Sequence, residues 1–168
     1  MPTHFLFYFR FNSFNVRLIQ RRQRICRYAG SNQFSRVKPG DTLYIVTRRQ
    51  DTKHLYLIAR LIATDVLRRL EAAYWLSERP EQLWPADLYA VAQDSAAEPF
   101  KMIDLMPWVE NLRFVSTPDR DHLQIVNGTV NPQQLQTMRH LEPASAALLD
   151  NIWQTGHDEL ASLSQTPF

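Results

Sequence analysis

The sequence predicts an α+β domain built on a small curved or closed antiparallel β-barrel with flanking helices. Three observations carry that prediction. Phenylalanines recur at every second position near the start, a Pro-Gly-Asp turn launches two β-rich runs, and large apolar residues take up helical spacing near the end. At 168 residues, with 45% hydrophobic and 21% charged side chains, the chain is long enough to bury one core and ordinary in composition. We assign residues 1–155 to a single domain and 156–168 to a loosely held tail.

The first element is HFLFYFRF, His4 to Phe11. Phe5, Phe7, Phe9 and Phe11 share one face, and Leu6 and Tyr8 make the other face apolar as well, so the strand belongs in the middle of a sheet or under cover on both sides. Asn12 to Asn15 is turn-like, with Ser13 or Asn15 as a helix cap. The spacing of Val16, Ile19, Ile25 and Cys26 then predicts a helix over Asn15–Tyr28 whose remaining surface carries Arg17, Arg21, Arg22, Arg24 and Arg27. These arginines have no acid among them to pair with along the helix. Cys26, the single cysteine, excludes an internal disulfide framework and a cysteine-based zinc site; it reads as a small buried residue.

Pro39-Gly40-Asp41 is a tight turn, because proline fixes one φ and glycine permits a positive φ at the next position. Thr42–Thr47 and Leu55–Ile62 are strands paired across the basic turn 48–53. Leu67–Leu76 predicts a short helix ending before Arg79-Pro80, and Leu88–Ala92 a weak strand. Ser95–Pro99 reads as a loop, Met102–Trp108 shows no clean period, and Arg113–Ser116 is a strand candidate. Asn127-Gly128 between Leu123–Val126 and Thr129–Val130 is a hairpin signal for a type I′ turn. Asn131-Pro132 predicts a helix through His140. A last helix spans Ala144–Gln154, with Leu148, Leu149, Ile152 and Trp153 inward and Gly156 as its stop.

Charge is divided along the chain. Residues 1–70 hold 14 lysines and arginines against 3 acids, a balance of +11, whereas residues 71–168 hold 5 against 14, a balance of −9. If the halves form separate faces, the basic one suits a polyanion, most often nucleic acid. The five histidines show no metal-ligand spacing, Gly-rich phosphate loops and nucleophile elbows are absent, and the acids Asp104, Glu110, Asp119 and Asp121 read as surface residues. No cofactor or metal is expected. No apolar run reaches the ~20 residues of a membrane span, and the apolar start lacks a signal-peptide n-region, so we expect a cytoplasmic protein. Phe5, Phe7, Phe9 and Trp153 belong to the core; Tyr28, Phe34, Trp84 and Trp108, beside turns and polar residues, are candidate pocket walls.

The stretch from Tyr28 to Ile62, with its Ser31-Asn32 turn, VKPGDTLYIVTRR and LYLIARLI, resembles the heart of the PUA-like superfamily, particularly its EVE and YTH members. The tryptophan that many such domains place before the polar turn is replaced by Tyr28 nearby. The resemblance implies a barrel that reads a modified base in nucleic acid, flipped into an aromatic-lined pocket; such domains are often fused to nucleases in restriction systems. It implies Tyr28, Ser31 and Asn32 as pocket lip, Trp84 or Trp108 as wall, and Arg21, Arg22, Arg24, Arg48 and Arg49 as phosphate contacts. DNA is the expected partner ahead of RNA, with any nuclease in a partner or fused domain. Two alternatives stand beside this reading: a small ASCH-like enzyme, and a protein-interaction module using the segregated charges.

Overall fold

The computed structural model describes residues 1–10 and 25–160, and the structural statements below concern those residues. Twelve strands run in chain order: β1 (His4–Tyr8), β2 (Ile25–Cys26), β3 (Tyr28–Gly30), β4 (Thr42–Arg48), β5 (Leu55–Ile62), β6 (Asp65–Arg68), β7 (Leu88–Val91), β8 (Glu98–Pro99), β9 (Ile103–Asp104), β10 (Ile125–Val126), β11 (Thr129–Val130) and β12 (Arg139–His140). The α-helices among them are α1 (Arg69–Leu76) and α2 (Pro143–Thr155). The class is α+β. The main sheet has the order β12-β1-β4-β5-β9, a second has β3-β7-β6, and two short ribbons pair β2 with β8 and β10 with β11. Among the described residues these ladders do not close into a barrel.

The reason β1 is apolar on both faces is its position. It lies between β12 and β4, with Phe5 and Phe7 in one core cluster and Leu6 in another on the opposite side. Its pairing with β4 is parallel, from His4 opposite Thr42 to Tyr8 opposite Val46, which departs from the all-antiparallel expectation. The β4–β5 hairpin is antiparallel as expected, with a register shift at Ile45/Val46. The Pro-Gly-Asp turn feeds β4: Gly40 has φ +93°, and buried Asp41 accepts hydrogen bonds from the backbone N–H of Thr3 and of Lys38, both at 2.8 Å. One carboxylate thus ties the turn to the residue before β1.

The hairpin at Asn127-Gly128 forms with both residues at positive φ, 52° and 73°, as a type I′ turn requires. Helix α2 packs Leu149, Ile152 and Trp153 into the second cluster, and ends at Gly156, where an added Cβ would lie 2.5 Å from the Ile152 carbonyl oxygen. Helix α1 begins two residues later than expected because Asp65–Arg68 are drawn into pairing with β7.

Three expectations are corrected. Residues 25–28 are not helical, since Ile25–Cys26 pair with Glu98–Pro99 and Tyr28 with Val91; the rest of the predicted helix and its caps lie outside the described residues. The helix predicted through His140 is a single 3-10 turn, Pro132–Leu135, after which Arg139 and His140 pair with β1. Arg113–Ser116 contributes only an isolated bridge, Phe114 to Leu141. In the first two cases a neighbouring strand's unpaired backbone outweighs local preference. In the third the backbone N–H groups are taken by separate partners, Arg113 by Ser145 Oγ, Phe114 by Asp121 O and Val115 by His140 O. Beyond Gly156, the Glu159 N–H donates to Met102 O (2.8 Å) and the Met102 N–H to Asp158 Oδ1 (2.9 Å), so residues 158–159 are fastened to the body. No helix among the described residues is long and apolar enough to cross a membrane.

Candidate nucleic-acid interface

Strand β3 and the turn after it build the site. Ala29 and Gly30 pair with Ala90 and Tyr89, and Gly30 is needed there because a Cβ would meet Tyr89 Cε1 at 2.9 Å. The small residues before Ser31 let Tyr89 cross under the turn. Ser31 then caps a 3-10 turn over Asn32–Arg36: its Oγ accepts from Gln33 N–H at 3.1 Å, and its own N–H donates to Leu88 O at 3.0 Å. Asn32 Oδ1 accepts from Asp87 N–H at 2.9 Å, pinning the Trp84–Asp87 loop to the turn.

Tyr28 and Tyr89 hold the other end of that loop. Tyr28 Oη accepts from Trp84 N–H at 3.3 Å, while the Tyr89 hydroxyl donates to the Trp84 carbonyl and accepts from Ala86 N–H. The Tyr28 and Tyr89 rings are tilted at 6.0 Å, and Trp84 meets Phe9 edge to face at 4.9 Å and 61°. Burial pushes the Tyr28 phenol above its ordinary range, so it is a neutral partner at physiological pH. Folding therefore brings the Trp84 loop against Tyr28, Ser31 and Asn32, which are neighbours in sequence. The arrangement offers half-buried aromatic surface beside an exposed amide side chain, the combination that stacking and edge hydrogen bonding require.

Other predicted residues stand elsewhere. Trp108 packs at the margin of the second core cluster, and Phe34, fully buried against Phe7 at 4.9 Å, belongs to the first cluster and walls no pocket. Arg21, Arg22 and Arg24 lie outside the described residues. Arg48 is the half-buried last residue of β4, paired with Leu55, its Nε donating to Lys53 O. Arg49 is 6% exposed, stacked over Tyr56 at 5.1 Å and ion-paired with Asp51 and Glu159, which makes it a structural cation and not a surface contact for phosphate.

Among the described residues, ion pairs cross between the two halves of the charge division. Arg27 pairs with Asp94 at 3.1 Å, Arg49 with Glu159 at 3.9 Å, and Arg60 with both Glu98 and Asp150 at 2.9 Å. These pairs join the basic half of the sequence to the acidic half. The acids considered as a cluster are dispersed: Asp104 pairs with His54 at 2.7 Å, Asp121 with His122 at 2.8 Å, and Asp119 accepts from Thr117. No group of three or more potential metal ligands occurs among the described residues. Sequence reading does not find Phe9 and Tyr89 as members of the site; a tyrosine in register with a glycine is the signal for the second. Compared with protein-family models and with curated proteins, the chain matches none.

Proposed function

We propose that this chain is a nucleic-acid-binding module of the PUA-like, EVE/YTH-like kind, which recognises a modified base by taking it out of the stack into an aromatic-lined site. The observation that carries the reading is the convergence of Tyr28, Ser31, Asn32 and Trp84 on the turn after β3, beside Phe9. Unstacking a base costs a few kcal/mol, which aromatic stacking and hydrogen bonds to the base edge must offset. Trp84 and Phe9 supply the first and the Asn32 side chain and Ser31 the second. The favoured ligand is methylated or hydroxymethylated cytosine in DNA. The module acts as a reader without chemistry of its own, as part of a modification-dependent restriction system whose nuclease is a partner or fused domain. Ion pairs between the two halves weaken the electrostatic support for a nucleic-acid partner and for a protein-interaction module alike, so the reading rests on the turn after β3.

The test is binding to matched duplexes carrying cytosine, methylcytosine, hydroxymethylcytosine or methyladenine at one site, at near-physiological salt. One modified duplex binds about tenfold tighter or more, a difference of about 1.4 kcal/mol, and Asn32→Ala or Tyr28→Ala removes the preference. Equal binding to all four duplexes overturns the reading.

A further inference from the structure

Several described arginines differ in what holds them. Arg27, Arg49 and Arg60 are neutralised by carboxylates. Arg36 and Arg139 are held instead by neutral groups. Arg36 sits over the Phe5 ring at 5.6 Å and donates from Nη1 to Met138 O at 3.3 Å. Arg139, the next residue along, sits over the Phe114 ring at 4.2 Å; its Nη1 donates to Gln134 O at 3.3 Å and its Nη2 to Arg120 O. Phe5 pairs with His140 and Phe114 bridges to Leu141, so the two guanidiniums stack on rings from the residues that flank β12 at its two edges. Neither has an ion-pair partner among the described residues.

Stacking fixes the plane of a guanidinium, and the bonds to carbonyls use only part of its five N–H donors. Preorganised, planar donors without a carboxylate are suited to a phosphate group. Arg120 adds a third positive charge close enough to disfavour the charged form of Arg139, after burial the second cause of a lowered pKa there. Like charges held together are relieved when an anion arrives. Asp119, itself engaged by Thr117, offsets part of the Arg120 charge, so Arg36 and Arg139 carry the site. The place is continuous with the candidate base site: Arg36 closes the 3-10 turn that Ser31 caps, and Gln33 of that turn donates from Nε2 to Gln136 O (2.8 Å) and accepts from Met138 N–H (2.6 Å).

We propose that Arg36 and Arg139, supported by Arg120, form a phosphate clamp across β12 that grips the nucleic-acid backbone next to the base-reading turn. This extends the functional reading above and is separable from it. Removing one phosphate neutralisation lowers the slope of log affinity against log salt by about 0.9 for duplex DNA. Arg36→Gln and Arg139→Gln are therefore measured on modified and unmodified duplexes over a salt series. Arg120→Gln, an exposed position, serves as the variant least able to disturb folding, and thermal melting checks all three.

The expected result is weaker binding to both duplexes by the same factor, with a reduced salt slope and an unchanged ratio between them. Unchanged affinity and slope in folded Arg36→Gln and Arg139→Gln protein overturn the clamp. A reduced slope with no preference for any modified duplex keeps the clamp and removes the base reader. An inorganic phosphate titration, followed by NMR of the arginine Nε–H groups, distinguishes the source. Saturation by phosphate at micromolar concentration, with no binding of either duplex, overturns the assignment to a nucleic-acid backbone in favour of a free phosphate ligand.

Discussion

Cys26 illustrates how completely position can override neighbourhood. Flanking arginines lower a thiol pKa when the sulfur is accessible, yet Cys26 is 2% exposed, its Sγ lies 3.7 Å from Tyr28 O, and burial pushes its pKa up to about 12. A thiol reagent at pH 8 therefore labels the folded protein only as fast as it opens, and denaturant raises the labelling rate; rapid labelling of native protein contradicts this. Two glycines separate conformation from contact. At Gly40 the φ of +93° is the whole problem, because an added Cβ meets open space; Gly40→Ala costs about 1 kcal/mol. At Gly156 the backbone is ordinary, but the Cβ would strike Ile152 O and Ile103, so Gly156→Ala costs more, about 2–3 kcal/mol. Chemical denaturation of the two variants ranks them.

At the level of elements, α2 is docked by apolar packing and a polar clasp together. Trp153 is fully buried, yet its Nε1–H reaches Glu98 Oε2 at 2.8 Å, and Lys101 Nζ lies over its ring and donates to its carbonyl. Arg60 joins Glu98 to Asp150, which also accepts from the Tyr44 hydroxyl at 2.8 Å. Removing one member leaves partners unpaired, and since Asp150 is partly exposed the loss is below that of a deeply buried pair: Arg60→Met costs about 2 kcal/mol. A melting curve unchanged by Arg60→Met contradicts the clasp. The elements legible in the sequence are those whose period is their own, such as the His4–Tyr8 part of the strand expected over His4–Phe11, the β4–β5 pair and the Leu148–Trp153 face. Arg139-His140 and Ile25-Cys26 escape a sequence reading because their strand character comes from β1 and β8, which no local window contains. The site divides the same way. A polar turn after Tyr28 announces itself, but composition cannot tell which arginine will meet an acid. Arg49 therefore reads as a phosphate contact when it is an internal cation, and Arg36 and Arg139 do not stand out.

For the molecule as a whole, several buried acids of high pKa act in concert. Tyr8, Tyr28, Tyr44 and Tyr56 are raised above their ordinary value of 10.0 and Cys26 above 9.0, in every case chiefly by burial. The folded state keeps protons that the unfolded chain releases, so stability is complete below those ordinary values and falls as pH climbs past them. The melting temperature is expected to hold up to about pH 9 and then decline, with Tyr44→Phe less stable at neutral pH but declining less steeply. A profile flat through about pH 11 contradicts the assignment.

The parallel pairing of β1 with β4, and the antiparallel pairing of β1 with β12, give the chain a particular order of assembly. The β4–β5 hairpin closes a short loop, whereas β1 must find one neighbour beyond the intervening β2 and β3 and another at Arg139-His140. Contacts of such sequence separation carry the entropy of large loops and form slowly. On a ribosome, β1 precedes both of its partners and is completed last, so its HFLFY run stays an uncovered hydrophobic segment until β12 has emerged. Its apolar character on both faces, the property that suits it to the middle of the sheet, makes that interval the time at which this protein is most exposed to aggregation.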